Sequence, residues 1–430
     1  MEPQAHRQVI IGYLCSLITQ WRRFWRSSCT LGFVGLLPAA TAAEPAIRPG
    51  DHVAIMGNTF ADQLRVNGYL ETLLLQRSPE KRVSIRNLGW GGDMLSARDR
   101  PTNFPAEEAA LIEHQTDLII ACFGMGESFA GPDGLPAFRT ALETFAASHR
   151  GRKYNGKSEV RLVLVSPIAY EDLGALTPER ERRNRELADY TAAMEQAASR
   201  QELGFVNLFA PTLQLMADSA APKLTTNGIH LNAYGYWAVS RLLADAVARG
   251  LPPWALHVDA RTRQAKGDGV AITQVESAAG GVGFNVKELR PPTLAPPVKR
   301  PIHATLRSWR DTLVVANLAP GEYRLTIDGE TVIAAGHDHW AKGIAIDSSP
   351  EHRNAEALRQ AVNDKNQQFI YGWKALNQVH IVGERKSSPS GRALPAEIIE
   401  FKRLADQKDQ ALRPGPSPLT HEWRLTPTFR

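Results

Sequence analysis

The chain has 430 residues, of which 43% are apolar and 22% charged, a length and composition that suit a globular protein of two or three domains and exclude a chain too polar to build a core. Its formal charge is +5, but residues 1–43 hold Arg7, Arg22, Arg23 and Arg26 against Glu2, a net +3 that leaves only +2 for the rest. The basic balance is therefore no argument for a nucleic-acid partner, and none is expected.

Residues 1–43 read as an export signal. Arg22-Arg23-Phe24-Trp25-Arg26 is the basic region, Leu31-Gly32-Phe33-Val34-Gly35-Leu36-Leu37 the apolar region, and Ala40-Thr41-Ala42 a small-residue cleavage pattern. The apolar run is far shorter than the roughly 20 residues a spanning helix needs. The expectation is an exported protein, periplasmic or extracellular, with no membrane span after cleavage. Of the three cysteines, Cys15 and Cys29 fall in this leader. Cys122 sits in an apolar run with no basic neighbour, which describes a core thiol rather than a nucleophile.

Residues 44–254 alternate short apolar runs with helical patterns. Strands are expected at Val53–Met56, Val83–Leu88, Leu118–Phe123, Arg161–Ser166 and Phe205–Leu208. Helices are expected at Leu64–Gln76, Ala106–His114, Leu135–Ser148, Arg180–Arg200 and Tyr234–Ala248. This is the pattern of an α/β domain with a central parallel sheet covered on both faces. Ligands of such sheets sit beyond the carboxyl ends of the strands, where residues 57–59, 89–93, 124–128 and 227–232 cluster.

After Pro252-Pro253 the helical pattern stops. Residues 255–346 carry short β-like runs at Gly269–Thr273, Gly283–Val286, Thr312–Val315, Tyr323–Ile327 and Thr331–Ala335, with Asp328-Gly329 as a hairpin turn. They read as a small β-rich appendage, with Pro291-Pro292 and Pro296-Pro297 as a stiff connector. Residues 347–384 return to helix, with Leu358, Val362 and Phe369 on one stripe. Residues 385–430, charged and proline-rich, read as a partly disordered tail.

Chemistry is sought at the first strand's end. Met56-Gly57-Asn58-Thr59 turns from strand to helix and presents the Thr59 hydroxyl beside helix amides that favour negative charge. His230, in Asn227-Gly228-Ile229-His230, lies on the same edge. An imidazole beside a hydroxyl can activate it, and Asn227 is placed to hold the ring through its side-chain carbonyl. His337, His339 and Trp340 form a second cluster, read as a solvated turn because no third metal ligand is evident. Neither a metal nor an organic cofactor is expected. Trp90, Phe123, Phe129 and Trp237 are candidates for pocket lining or plain core.

These blocks, in this order and spacing, resemble the SGNH hydrolase superfamily, the GDSL esterases and lipases, over roughly residues 50–250. Gly57-Asn58-Thr59 corresponds to the nucleophile turn, with Thr59 at the serine position. Gly92, in Asn87-Leu88-Gly89-Trp90-Gly91-Gly92-Asp93, corresponds to the oxyanion glycine. Gly126, in Gly124-Met125-Gly126-Glu127, stands at the oxyanion asparagine position. Asn227 stands at the triad aspartate and His230 at the triad histidine. The layout with a β appendage and late helix is similar to secreted planctomycete-type members. The resemblance implies a flavodoxin-like sandwich and a small-molecule ester substrate, with acyl or acetyl groups, including those on carbohydrate, as the class.

Only Gly92 and His230 retain the family's residue. Threonine's methyl crowds an attack, Gly126 offers no side-chain donor, and an amide for a carboxylate costs on the order of 10⁴ in rate. Asn58 could supply the missing donor, and Asp93 or Glu127 could orient His230. The plainer reading has Asn58 capping a helix and Asp93 and Glu127 satisfying loop amides. Two functions stand: an ester hydrolase running a Thr/His variant of the Ser-His-Asp mechanism, and an inactive binding or interaction protein on the same fold.

Overall fold

The computed structural model describes residues 46–78, 82–100, 104–278, 280–298, 302–374, 383–413 and 418–428. The expected leader, with Cys15 and Cys29, lies outside the described residues. The central sheet contains β1 (His52–Gly57), β2 (Ser84–Asn87), β3 (Leu118–Cys122), β4 (Arg161–Val165) and β5 (Gly204–Val206). The strands are all parallel in the order β2-β1-β3-β4-β5. This is the flavodoxin-like order, whose direction reverses between β1 and β3 and leaves a crevice at their carboxyl ends.

The continuous apolar runs follow from that arrangement. Side chains alternate across a strand, so Val53 and Ile55 enter one core layer while Ala54 and Met56 enter the other. Helices α1 (Thr59–Asn67), α2 (Tyr69–Arg77) and α7 (Ala233–Val247) contribute Leu64, Leu70, Leu74, Val239 and Leu243 to the first layer. Helices α4 (Gly131–His149) and α5 (Arg180–Gln201) contribute Phe138, Leu142, Phe145, Tyr190 and Met194 to the second. The short helices α3 (Glu107–Glu113) and α6 (Phe209–Met216) complete the domain.

Two local expectations fail here. The single helix over Leu64–Gln76 is two helices, broken at Gly68, whose φ of 67° is left-handed and ends α1 while starting α2. The strand expected to reach Leu208 stops at Val206, and Phe209–Met216 is helical.

The β-rich region is a sandwich of two sheets. One sheet is β13 (Ile344–Ala345), β10 (Thr312–Ala316), β6 (Ala255–Asp259) and β7 (Gln264–Asp268), in that order. The other is antiparallel: β12 (Glu330–Gly336), β11 (Glu322–Ile327), β14 (Thr420–Pro427), β9 (Gly281–Glu288) and β8 (Val270–Ala278). The Asp328-Gly329 turn joins β11 to β12 with both residues at positive φ. The His337–Trp340 cluster is not a solvated turn. It lies in α9 (His337–Lys342), and Trp340 is fully buried in the sandwich core.

The segment read as a partly disordered tail contains regular structure among its described residues. It forms α11 (Pro389–Ala411) and β14, which pairs with β11 on one side and β9 on the other. Alternation along β14 sends Trp423 and Leu425 into the core while its charged residues face out. Helix α10 (Pro350–Trp373) packs on α1 and α2, and α11 packs on α10. Together they cover β2, the edge of the central sheet. The buried Lys365 ammonium lies 2.8 Å from the Ile85 carbonyl and 2.7 Å from Glu71 Oε1. A buried carbonyl on the sheet's edge strand is thereby satisfied. The proline-rich connector is held too: Leu294 and Ile302 are buried, and the Trp237 indole donates to the Leu294 carbonyl at 2.8 Å. A four-residue helix, α8 (Ala304–Arg307), follows it.

Candidate active site

The crevice beyond β1 and β3 holds an open-sided pocket of about 620 Å³, and Asn58, Thr59, Gly92, Asp93, Gly126 and His230 all line it. Its walls are mostly apolar, built from Phe60, Cys122, Phe123, Met125, Phe129, Pro167, Ile168 and Ile229. The structure therefore brings Thr59, Gly92 and His230 to one place.

The turn from β1 into α1 depends on Gly57. A Cβ there would lie 2.1 Å from the Cys122 carbonyl oxygen, so only glycine lets β1 and β3 close up before the chain turns. Asn58 is the N-cap of α1, and its Oδ1 accepts the Phe60 amide at 3.0 Å. Thr59 is the first helical residue. Its Oγ1 accepts the Gly92 amide at 3.2 Å. Among the described residues that hydroxyl has no acceptor of its own, and no hydrogen bond joins it to His230. Gly92 thus reaches the hydroxyl, with its own φ at 89°.

Asp93 and Glu127 are spoken for. Asp93 is buried and takes a bidentate pair from Arg100, at 2.8 and 2.7 Å. Glu127 accepts the amides of Leu95 and Gly124 at 2.9 and 2.8 Å. Burial raises the Glu127 pKa from its ordinary value, and the amides of Leu95, Glu127 itself and Gly124 pull it part of the way back. Both carboxylates stitch the loops flanking the pocket, and neither bonds His230. At Gly126 an added Cβ would meet Met94 Cγ at 2.9 Å, so Met94 occupies the side-chain space.

The histidine loop contains a correction. Asn227 does not hold His230 through its carbonyl. Its Oδ1 accepts the backbone amides of Ile229 and His230, at 3.3 and 2.9 Å. Turning the amide over would aim its NH₂ at two N–H donors, so the orientation is determined. The Nδ2 atom therefore faces His230 Nδ1, at 3.0 Å, and donates to it. An imidazole that accepts at Nδ1 carries its proton on Nε2. A triad base needs the opposite tautomer, with Nε2 free to take the hydroxyl proton.

Sequence reasoning missed the group that holds this loop. Glu171 is 1% exposed and accepts Leu224 N at 3.0 Å, Thr225 N at 2.7 Å and Thr225 Oγ1 at 2.6 Å. Thr225 Oγ1 in turn accepts the Gly228 amide at 3.0 Å. A glutamate two residues from Ala169, in a stretch with no periodic pattern, gave no signal of this role. Of the four aromatic candidates, Phe123 and Phe129 line the pocket. Trp237 is core. Trp90 lies outside the lining, its ring flanked by Arg100 at 4.4 Å and Lys374 at 4.9 Å. Cys122 lines the pocket but is buried, and burial pushes its thiol pKa upward, which leaves it unreactive. No group of three or more potential metal ligands occurs among the described residues.

The family of GDSL-like lipases and acylhydrolases matches residues 32–238. No curated protein matches the chain. Among solved structures, a gut microbial diltiazem-metabolizing enzyme superposes with a TM-score of 0.65 at 16% identity, covering 89% of this chain and 98% of that one. An acetylxylan esterase from Geobacillus stearothermophilus aligns over 47% of this chain and 96% of its own, at 16% identity and a TM-score of 0.36. An alpha/beta hydrolase enzyme from the metagenome of Lake Arreo, Spain, aligns over 47% and 97%, at 17% identity and a TM-score of 0.36. The first of these shares the fold across nearly its whole length. The match over residues 32–238 makes the α/β domain similar to the GDSL-like lipases and acylhydrolases of the SGNH hydrolase superfamily, and its strand order is in keeping with that likeness.

Proposed function

We propose that this chain is an exported hydrolase-like protein that takes a carboxylic ester into the Thr59–His230 pocket and cleaves it slowly. The carrying observation is the convergence of Thr59, Gly92 and His230, with the Gly92 amide 3.2 Å from Thr59 Oγ1. In this reading Thr59 Oγ attacks the ester carbonyl and His230 takes its proton. The amides of Gly92 and Thr59 hold the oxyanion. His230 then gives the proton to the departing alcohol, and water releases the acyl group from Thr59. The apolar walls suit the acyl side of the substrate, with the alcohol, a sugar included, at the open side. Export rests on the leader residues 22–42. Turnover is slow because His230 must leave its Asn227-bound tautomer before it can act as base, a penalty on the order of 10⁴.

The Asn227–His230 contact also favours a second reading, a pocket kept for binding alone. Residues 44–430, assayed on short-chain aryl esters and acetylated sugars beside His230→Ala, separate the two. Turnover that the substitution abolishes supports the hydrolase. Equal rates for both proteins and for buffer leave only the binding reading.

A further inference from the structure

The polar end of the pocket is a set of donors. The Asn227 amide fixes His230 as an Nε2–H donor. The Thr59 hydroxyl oxygen is occupied by the Gly92 amide, which leaves its O–H free to donate. Thr59 is the first residue of α1, so its own amide has no intrahelical partner. Asn58 uses its carbonyl on Phe60, which leaves its NH₂ with no acceptor among the described residues.

Acceptors are missing from the same place. Asp93, the carboxylate on the lining, is consumed by Arg100, and those on the neighbouring turns are consumed too: Glu127 by Leu95 and Gly124, Asp62 by Arg65 and Lys374. Ser166 also lines the pocket, but its hydroxyl donates to the Pro167 carbonyl and accepts the Leu208 and Phe209 amides; apart from it and the buried Cys122 thiol, the wall beyond the donors is hydrocarbon, from Phe60, Met125, Phe129, Ile168 and Ile229. A general base would need at least one lone pair aimed inward, and the geometry supplies none.

We infer that this pocket is a receptor for an aliphatic carboxylate, bound with its oxygens on Thr59 and His230 Nε2–H and its tail on the apolar wall. The inference rests on the site proposed above and names its ligand: the free acid, held more tightly than the ester that would yield it. A carboxylate has two oxygens with about four lone-pair sites and no proton to place, which matches a donor-only end. An alcohol or amide would turn at least one donor against another. The apolar wall excludes a uronic acid, whose ring is hydroxylated on every side.

The test is calorimetric titration of residues 44–430 at pH 7.5 with hexanoate, hexanol, hexanamide and glucuronate. Hexanoate is expected to bind at least about tenfold more tightly than the other three, the margin of one charge-assisted hydrogen bond. His230→Gln keeps an N–H donor and is expected to retain hexanoate within about threefold. His230→Leu removes the donor and should lose about tenfold or more. Long-range proton–nitrogen NMR should find His230 protonated at Nε2. Equal affinity for hexanoate and hexanol, preference for glucuronate, or an Nδ1–H tautomer overturns the inference. Ester turnover abolished by His230→Ala, with no hexanoate binding, would leave the hydrolase proposal standing and this one refuted. Hexanoate binding without turnover does the reverse.

Discussion

Met94 fills the space that a side chain at Gly126 would need: a Cβ built there would sit 2.9 Å from Met94 Cγ and 3.2 Å from Met94 Sδ. A side chain at position 126 and the Met94 thioether therefore compete for one space. Restoring asparagine alone, Gly126→Asn, should give no gain in ester turnover and lower stability by about 1–3 kcal/mol through overpacking. The double variant Gly126→Asn with Met94→Ala should relieve the clash and raise kcat by about 10²-fold, the worth of one oxyanion donor. Initial rates on an aryl acetate, with melting curves for both variants, check this; a gain from the single variant contradicts it.

The His230 tautomer gives the largest predicted change in rate. Asn227→Asp presents an acceptor to Nδ1 and frees Nε2. Turnover should rise by about 10²- to 10⁴-fold, the range set by the known cost of the opposite substitution. Hexanoate affinity should fall in the same protein. A kcat unchanged in Asn227→Asp shows that the tautomer is not what limits the reaction.

Glu171 bridges two amides and a hydroxyl of the histidine loop. Glu171→Ala leaves three buried polar groups without partners and should cost about 2–4 kcal/mol. Hydrogen exchange should speed up at Leu224, Thr225 and Gly228 before it does in the sheet. Protection unchanged at those amides would assign the loop's order to another contact.

Acid sensitivity should trace to His149. Burial, with Arg98 and Arg152 adding to it, lowers its pKa from 6.5 to about 4, and its Nδ1 lies 2.8 Å from the Tyr154 hydroxyl. The unfolded chain binds this proton more readily, so stability is undiminished above pH 6.5 and falls as pH drops from about 6.5 to about 4. The shift corresponds to about 3 kcal/mol. Urea melts of the parent should show that decline, and His149→Leu should flatten it in this window.

Cutting the chain after Leu412 removes β14 from between β11 and β9 and takes Trp423 and Leu425 out of the sandwich core. Limited proteolysis of the shortened protein should cleave within residues 255–346 at protease levels that leave the full chain intact. Equal resistance would mean that the sandwich does not need its inserted strand.

What the sequence disclosed follows from what each signal measures. Val53–Met56 and Leu118–Phe123 were legible because a strand buried on both faces must be apolar throughout. The block order was legible because Gly57 and Gly92 each answer a backbone requirement. The strand at Thr420–Pro427 was missed although it alternates, because the prolines and charges that precede it dominate the composition of residues 385–430. β7, with one apolar residue in five, carries no pattern at all. That Thr59, Gly92 and His230 share one pocket could be read from the block order, but the direction of the Asn227 amide could not. That direction is set by the backbone amides of Ile229 and His230, which no side-chain pattern reports.

The placement of β14 also orders events during synthesis. β11 and β9 meet only through a strand made long after both, with α10 and α11 translated in between. The α/β strands can pair while that sheet still has a gap at its centre. For that interval two strands keep unpaired edges and an uncovered Phe284. Chaperone dependence should therefore fall on the sandwich and not on the domain that carries Thr59.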